Sequence, residues 1–149
     1  RVTAVCGPHN VEMVSGLGAQ RVLDYTREDF LDSGERYDLI LVVNGSRPLS
    51  EYRRGLAPRG RLVIAGGDLR TLFKAMLFGW LYSLGGQKIR VLSAKPCPKD
   101  TDLVVDLMRQ GKVKPVIERS YPLAETPAAV AYLDKGHARG KVLITVSEE

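Results

Sequence analysis

The sequence predicts an α/β protein built on a mostly parallel sheet. Three runs are apolar on both faces rather than alternating: VTAV at 2–5, YDLILVV at 37–43 and RLVIA at 61–65. Such runs belong to strands covered on both sides, as parallel strands are. Helical patterns separate them, and glycine or proline falls at the joints. At 149 residues the chain is long enough for one domain with a real core.

The elements follow in order. Val2, Ala4 and Val5 make the first strand, after which Asn10 caps the apolar-periodic run Val11, Met13, Val14 and Leu17. The turn at Gly18 leads to a short strand over 21–25, and 37–43 is the next strand. Ser50 caps a helix over 51–56 that Pro58-Arg59-Gly60 ends. The strand 61–65 stops at Gly66-Gly67. Segment 71–84 is helical and apolar nearly all round, with Phe73, Met76, Leu77 and Trp80, and 89–94 is a strand again. Asp100 or Thr101 starts a helix whose inner face is Leu103, Val104, Leu107 and Met108, closed by Gly111.

The remainder differs in kind. Residues 113–120 are extended but broken by Pro115. Thr126-Pro127 opens a helix that Gly136 ends, with proline where a helix tolerates it, and 141–146 is a closing strand. A strand, helix and strand without a second layer imply docking on something else. The organisation expected is therefore a domain over 1–112 and a returning segment over 113–149.

Composition narrows the function. The net charge is +5, but Arg53, Arg54, Arg59 and Arg61 surround one turn while Lys112 and Lys114 lie far off, among acidic residues and without interleaved aromatics. That is a solvated surface, not a nucleic-acid face. The most apolar segment, 71–84, contains Lys74 and ends at Gly85-Gly86, too short for a membrane span. Cys6 and Cys97 are the only cysteines, too few and too far apart for a zinc site or a disulfide framework. They read as small buried residues in a reducing, cytoplasmic setting.

The glycines divide into two groups. Gly16-Leu17-Gly18-Ala19 ends a helix and precedes a strand, the reverse of a dinucleotide fingerprint, so it is a helix cap. Gly45 and the pair Gly66-Gly67 instead follow the carboxyl ends of strands, where open α/β sheets bind ligands.

The succession VTAVCGPHNVEMVSGLGAQRVLDYTREDF, YDLILVVNG, LAPRGRLVIAGG, LSAKPCPKDTDLVVDLMRQGKVKPVI and HARGKVLITV resembles the medium-chain dehydrogenase/reductase superfamily. Within it, the zinc-independent quinone oxidoreductase branch is the most similar. The resemblance implies a Rossmann-type sheet lacking its first strand and glycine-rich loop. The chain would then be the C-terminal cofactor-binding part of a longer oxidoreductase, inactive alone, with a GroES-like catalytic domain before it. In the order 3-2-1-4-5-6 the absent strand is central. Two half-sheets with open edges should result, completed by another segment or subunit, or closed on each other.

The same resemblance assigns cofactor residues. The strand end Cys6, Gly7, His9 and Asn10 carries no carboxylate for ribose hydroxyls, which favours NADPH over NADH. Tyr25 matches a tyrosine near the cofactor phosphates, Asn44 and Gly45 the strand end near a ribose, Gly66 and Gly67 the next strand end, and Ala94-Lys95 the loop beside the nicotinamide. No general acid is identifiable, His137 is structural, and no metal is expected. The partners implied are a small-molecule substrate such as a quinone or enone, and a second subunit through 71–84. Two other readings stand beside this one: an S-adenosylmethionine-dependent methyltransferase, and a non-catalytic nucleotide-binding or dimerisation module.

Overall fold

The computed structural model describes residues 1–45, 47–66, 85–93, 95, 97–136 and 138–146. The chain divides into two compact units, Arg1–Lys95 and Pro96–Glu149. The apolar segment 71–84 lies outside the described residues, as do Gly67, Ala94 and His137.

In the first unit, β1 (Thr3–Cys6) leads through a 3-10 turn (Pro8–Asn10) into α1 (Val11–Gly16) and then β2 (Arg21–Asp24). β1 and β2 pair in parallel, Thr3 opposite Arg21 through to Cys6 opposite Asp24. Gly18, at a φ of 98°, reverses the chain after α1, so its place as a helix cap holds. Next come β3 (Tyr37–Val43), α2 (Leu49–Gly55), β4 (Leu56–Ala65) and β5 (Lys88–Val91). These strands form a second parallel sheet in the order β3-β4-β5. The chain thus carries the two half-sheets expected from its sequence.

The halves share one core. Leu23 of β2 is buried with Phe30, Val42, Leu49, Tyr52, Leu56, Leu62, Ile64 and Ile89, and Leu62 is fully inaccessible. Polar ties then fix the borders. Glu35, just before β3, meets Arg1 at 3.2 Å and Arg21 at 3.5 Å, which draws the amino ends of β1, β2 and β3 together. Arg47 binds Asp29 at 2.6 Å and lies over the Phe30 ring at 5.4 Å. The Gln87 amide donates to the carbonyls of Arg53, Leu56 and Ala57, joining the end of α2 to the entry of β5.

Three local expectations change. Pro58-Arg59-Gly60 does not separate a helix from a strand, because β4 already begins at Leu56. The ladder pairs Tyr37 with Leu56 and resumes at Leu39 with Arg61, so the proline and glycine sit in the irregular stretch between. A Cβ on Gly60 would lie 2.8 Å from the Tyr37 carbonyl oxygen. Asn10 stands at the N-cap of α1, yet its side chain makes no capping bond. Cys6 and Cys97 are free and only partly buried, since each sits where a strand or loop meets a helix start.

In the second unit, α3 (Pro98–Arg109) starts two residues earlier than its sequence pattern suggests, with proline in the first turn after an extended Cys97. β6 (Ile117–Pro122), a 3-10 turn (Leu123–Glu125), α4 (Thr126–Asp134) and β7 (Lys141–Thr145) follow. β6 and β7 pair in parallel as one strand–helix–strand unit. Of its described apolar side chains only Ala129 is buried, so the face of Leu103, Val104 and Met108 is exposed rather than inward. A two-stranded sheet and two helices offer too little surface to cover it.

Glu118 organises this unit. Its carboxylate accepts the Tyr132 hydroxyl at 2.6 Å and the backbone N–H groups of Arg139 at 2.6 Å and Gly140 at 3.3 Å. The Arg119 guanidinium lies over the same tyrosine ring at 4.5 Å. Tyr132 foremost, then the Arg139 amide, hold the Glu118 carboxyl below its ordinary value. A lowered folded pKa means that the stabilisation is present above the unfolded value of about 4.3 and is lost as pH falls through the folded one. Glu118→Gln should therefore melt below the parent at pH 7, and the gap should close as pH drops beneath about 4. Melting midpoints by circular dichroism across that range provide the check.

Candidate functional site: the carboxyl ends of the parallel strands

In the first unit the residues singled out for cofactor binding fall into two groups, each at the carboxyl end of a parallel pair. The first is at β1 and β2. The Tyr25 amide donates to the Cys6 carbonyl at 3.2 Å, which continues the ladder one residue past β2. The Tyr25 ring leans over Gly7: a Cβ there would lie 3.2 Å from the phenol oxygen. The ring itself is largely exposed. The Asn10 amide donates to the Gly7 carbonyl at 2.9 Å, closing the turn that carries His9 outward. Asn10 Oδ1 is buried and has no hydrogen-bond partner, an acceptor left without a donor.

Asp24 is the neighbour that the sequence reading passed over. It ends β2 opposite Cys6, close enough to influence that thiol and to be influenced by His9. Its carboxylate is already engaged, however. Oδ1 accepts the Thr26 amide at 2.9 Å and the Thr26 hydroxyl at 2.7 Å. Those two bonds, the backbone one foremost, hold its carboxyl below the ordinary range. The D-x-T spacing of an Asx turn was the available signal. Cys6 answers in the other direction, with burial first and Asp24 second pushing its thiol up, so it remains a thiol at neutral pH.

The second group is at β3 and β4. Asn44 adopts a φ of 52°, the only described non-glycine residue with a positive φ, and its amide donates to the Ala65 carbonyl at 3.2 Å. Asparagine tolerates that conformation better than most residues. Gly66, at a φ of 73°, faces it: a Cβ would lie 2.6 Å from Asn44 Oδ1. A Cβ on Gly45 would collide with Val42 and with the Tyr52 hydroxyl. Glycine is thus demanded at both positions by the chain's own packing. The ligand argument rests instead on where they stand, at the strand ends. Lys95 is exposed, and its predicted partner Ala94, like Gly67, lies outside the described residues.

The chemistry on offer is that of a binding edge. Two glycine-bordered strand ends, an unpartnered acceptor, an exposed imidazole and a phenol suit a polar ligand with sugar and phosphate groups. No three His, Cys, Asp or Glu side chains among the described residues gather as a metal ion needs. No described helix is long and apolar enough to cross a membrane.

Comparison with known proteins places the chain in a family. Residues 17–144 match the family model for zinc-binding dehydrogenases. The chain is 31% identical over 152 residues to the chloroplast envelope quinone oxidoreductase homolog of Arabidopsis thaliana, covering 96% of this chain and 44% of that protein. It is 31% identical over 175 residues to human NAD(P)H oxidoreductase RTN4IP1, mitochondrial, covering 97% of this chain and 41% of that protein. Among solved structures, the quinone oxidoreductase from Coxiella burnetii superposes with a TM-score of 0.78 at 21% identity, over 98% of this chain and 45% of that one. The last comparison speaks to fold alone. The chain thus spans less than half the length of these relatives.

Gly66→Ala should destabilise the first unit by about 1–3 kcal/mol, because the residue must keep a left-handed backbone and displace the Asn44 amide. Urea denaturation is the measurement, with Gly16→Ala as the control: nothing lies within 4 Å of a Cβ there.

Proposed function

The chain belongs to the zinc-binding dehydrogenase family, within the medium-chain dehydrogenase/reductase superfamily, and we propose that it forms the nicotinamide-cofactor part of an oxidoreductase. The observation that carries this reading is the placement of Gly7, Asn10, Tyr25, Asn44, Gly45 and Gly66 at the carboxyl ends of four parallel strands. The family match decides against the methyltransferase reading.

The cofactor preferred is NADPH. The turn Pro8–Asn10 after β1 holds no carboxylate to repel a 2′-phosphate, and Asp24 at the end of β2 is occupied by Thr26. His9 is exposed at that turn and offers a ring nitrogen to the phosphate, while the orphaned Asn10 Oδ1 is an acceptor for a ribose hydroxyl. Asn44 and Gly45 would border the second ribose, and Lys95 the nicotinamide side. When bound, the nicotinamide supplies a hydride to a polarised substrate. The residues of this chain would bind and orient it.

The described residues of this chain offer no zinc-binding set. Cys6 and Cys97 belong to different units, and no described cluster completes a tetrahedral set. The substrate proposed is a quinone, enone or similar small carbonyl compound, after the quinone oxidoreductases to which the chain is similar. Residues 1–112 would form the cofactor domain, and 113–149 would return toward a catalytic domain. Two free thiols suit a reducing compartment such as the cytoplasm.

Native mass spectrometry of the chain with NADPH, NADH and S-adenosylmethionine tests the reading. Retention of NADPH above NADH is expected, and His9→Glu should reverse that preference by about tenfold, or ~1.4 kcal/mol, through repulsion of the 2′-phosphate. Retention of S-adenosylmethionine with neither nicotinamide would sink it.

A further inference from the structure

We propose, on the cofactor reading of Asn44 and Gly45, that Arg47 is a positioning residue for the turn that leaves β3. Held by Asp29 and seated on Phe30, it keeps Tyr52 against Gly45 and so fixes Asn44 at the strand end.

Beyond Val43, where β3 ends, the Asn44 amide donates to the Ala65 carbonyl at 3.2 Å. Asn44 is left-handed, at a φ of 52°. That conformation costs free energy in any residue but glycine and persists only where neighbours enforce it. Its side chain faces Gly66 on one side. On the other, Gly45 abuts the Tyr52 hydroxyl so closely that a Cβ would collide with it. Tyr52 belongs to α2 and is buried. The seat of α2 therefore decides where Asn44 and Gly45 stand.

That seat is a stack that begins at Asp29. The Leu31 amide donates to Asp29 Oδ1 at 3.0 Å, and Arg47 donates to Oδ2 at 2.6 Å, so the carboxylate is oriented from both sides. The Arg47 guanidinium lies over the Phe30 ring, 5.4 Å from its centre. The Phe30 and Tyr52 rings then stack, with centres 6.3 Å apart and planes 22° from parallel. The last residue of α2 closes on the same ring, since a Cβ on Gly55 would lie 2.8 Å from Phe30 Cε2. Glu51 of α2 also accepts from Arg47, at 3.4 Å. Two residues after Gly45, Arg47 thus joins the turn at 29–31, α2 and the aromatic pair.

The pair contributes little to folding as a whole. The Arg47 and Asp29 side chains are 31% and 33% exposed, and ion pairs so close to water add little to global stability. A flat guanidinium on a ring, paired with an oriented carboxylate, supplies direction instead, which lysine reproduces only in part. Loss of Arg47 therefore acts on the turn rather than on the unit.

Amide hydrogen exchange of the intact chain compares Asn44 with Leu92, whose amide continues the β4–β5 pairing by donating to the Ile64 carbonyl at 2.8 Å. Arg47→Ala should speed exchange at Asn44 about tenfold with Leu92 unchanged, Asp29→Asn should act in the same direction, and Arg47→Lys should recover part of the protection. Equal acceleration at both amides, or an Asn44 amide indifferent to Arg47, would overturn the proposal. Titration with NADPH reads the consequence. Arg47→Ala should raise the dissociation constant about tenfold, whereas Ile89→Val, in the same core but away from the turn, should leave it unchanged. Equal weakening by both variants would overturn it too. A parent chain that retains no nicotinamide would end the cofactor reading, while exchange at Asn44 would still decide whether Arg47 sets the turn.

Discussion

Everything in the first unit depends on where backbone pairing stops. A parallel strand has hydrogen-bonding groups on both sides, and burial of either set unpaired is costly. β1 and β3 each satisfy one side. The faces of β3 differ as well: Leu39, Leu41 and Val43 share the exposed one, while Ile40 and Val42 turn the other to the core with α2 and the 28–31 turn. Polar ties link the halves where pairing does not. Glu35 with Arg1 and Arg21 joins the start of β3 to the paired starts of β1 and β2, which no ladder does.

The site inherits this geometry. Parallel pairing brings Cys6 beside Asp24 and Val43 beside Ala65, so the turns that leave these strands emerge on the same side of each sheet. The shape of each turn is then decided locally. Gly7 lets the Tyr25 ring lie over the chain, Asn44 turns left-handed, and Gly66 makes room for its amide. These are packing requirements first, and they leave polar groups at the strand ends as a consequence. The buried, unpartnered Asn10 Oδ1 is the exception, since packing alone gives no reason for it.

Much of this was legible in the sequence, for identifiable reasons. YDLILVV is apolar without alternation, and a run of that kind in a short element has few homes but a parallel strand. Gly18 and Gly136 come directly after helix patterns and indeed carry the positive φ of helix ends. The division into two parallel half-sheets followed from the family resemblance of the sequence. The features that escaped were set by partners distant in sequence. Pro58 and Gly60 look like a turn until Leu56 is seen to pair with Tyr37. Leu103, Val104 and Met108 have helical spacing, but spacing cannot say whether the face is covered. Asp24 matters because β1 lies beside it, and Glu118 because the Arg139 and Gly140 amides return to it from 21 and 22 residues away.

The measurement closest to the heart of this account is amide hydrogen exchange of the chain alone, resolved residue by residue along β1 and β3. Successive residues of a parallel strand point their amides to opposite sides. Alternate amides in each strand should therefore be protected by β2 or β4, and those between should exchange as fast as amides in exposed loops. Uniform protection along both strands would mean that the edges are paired after all, and would contradict the open sheet on which the rest depends.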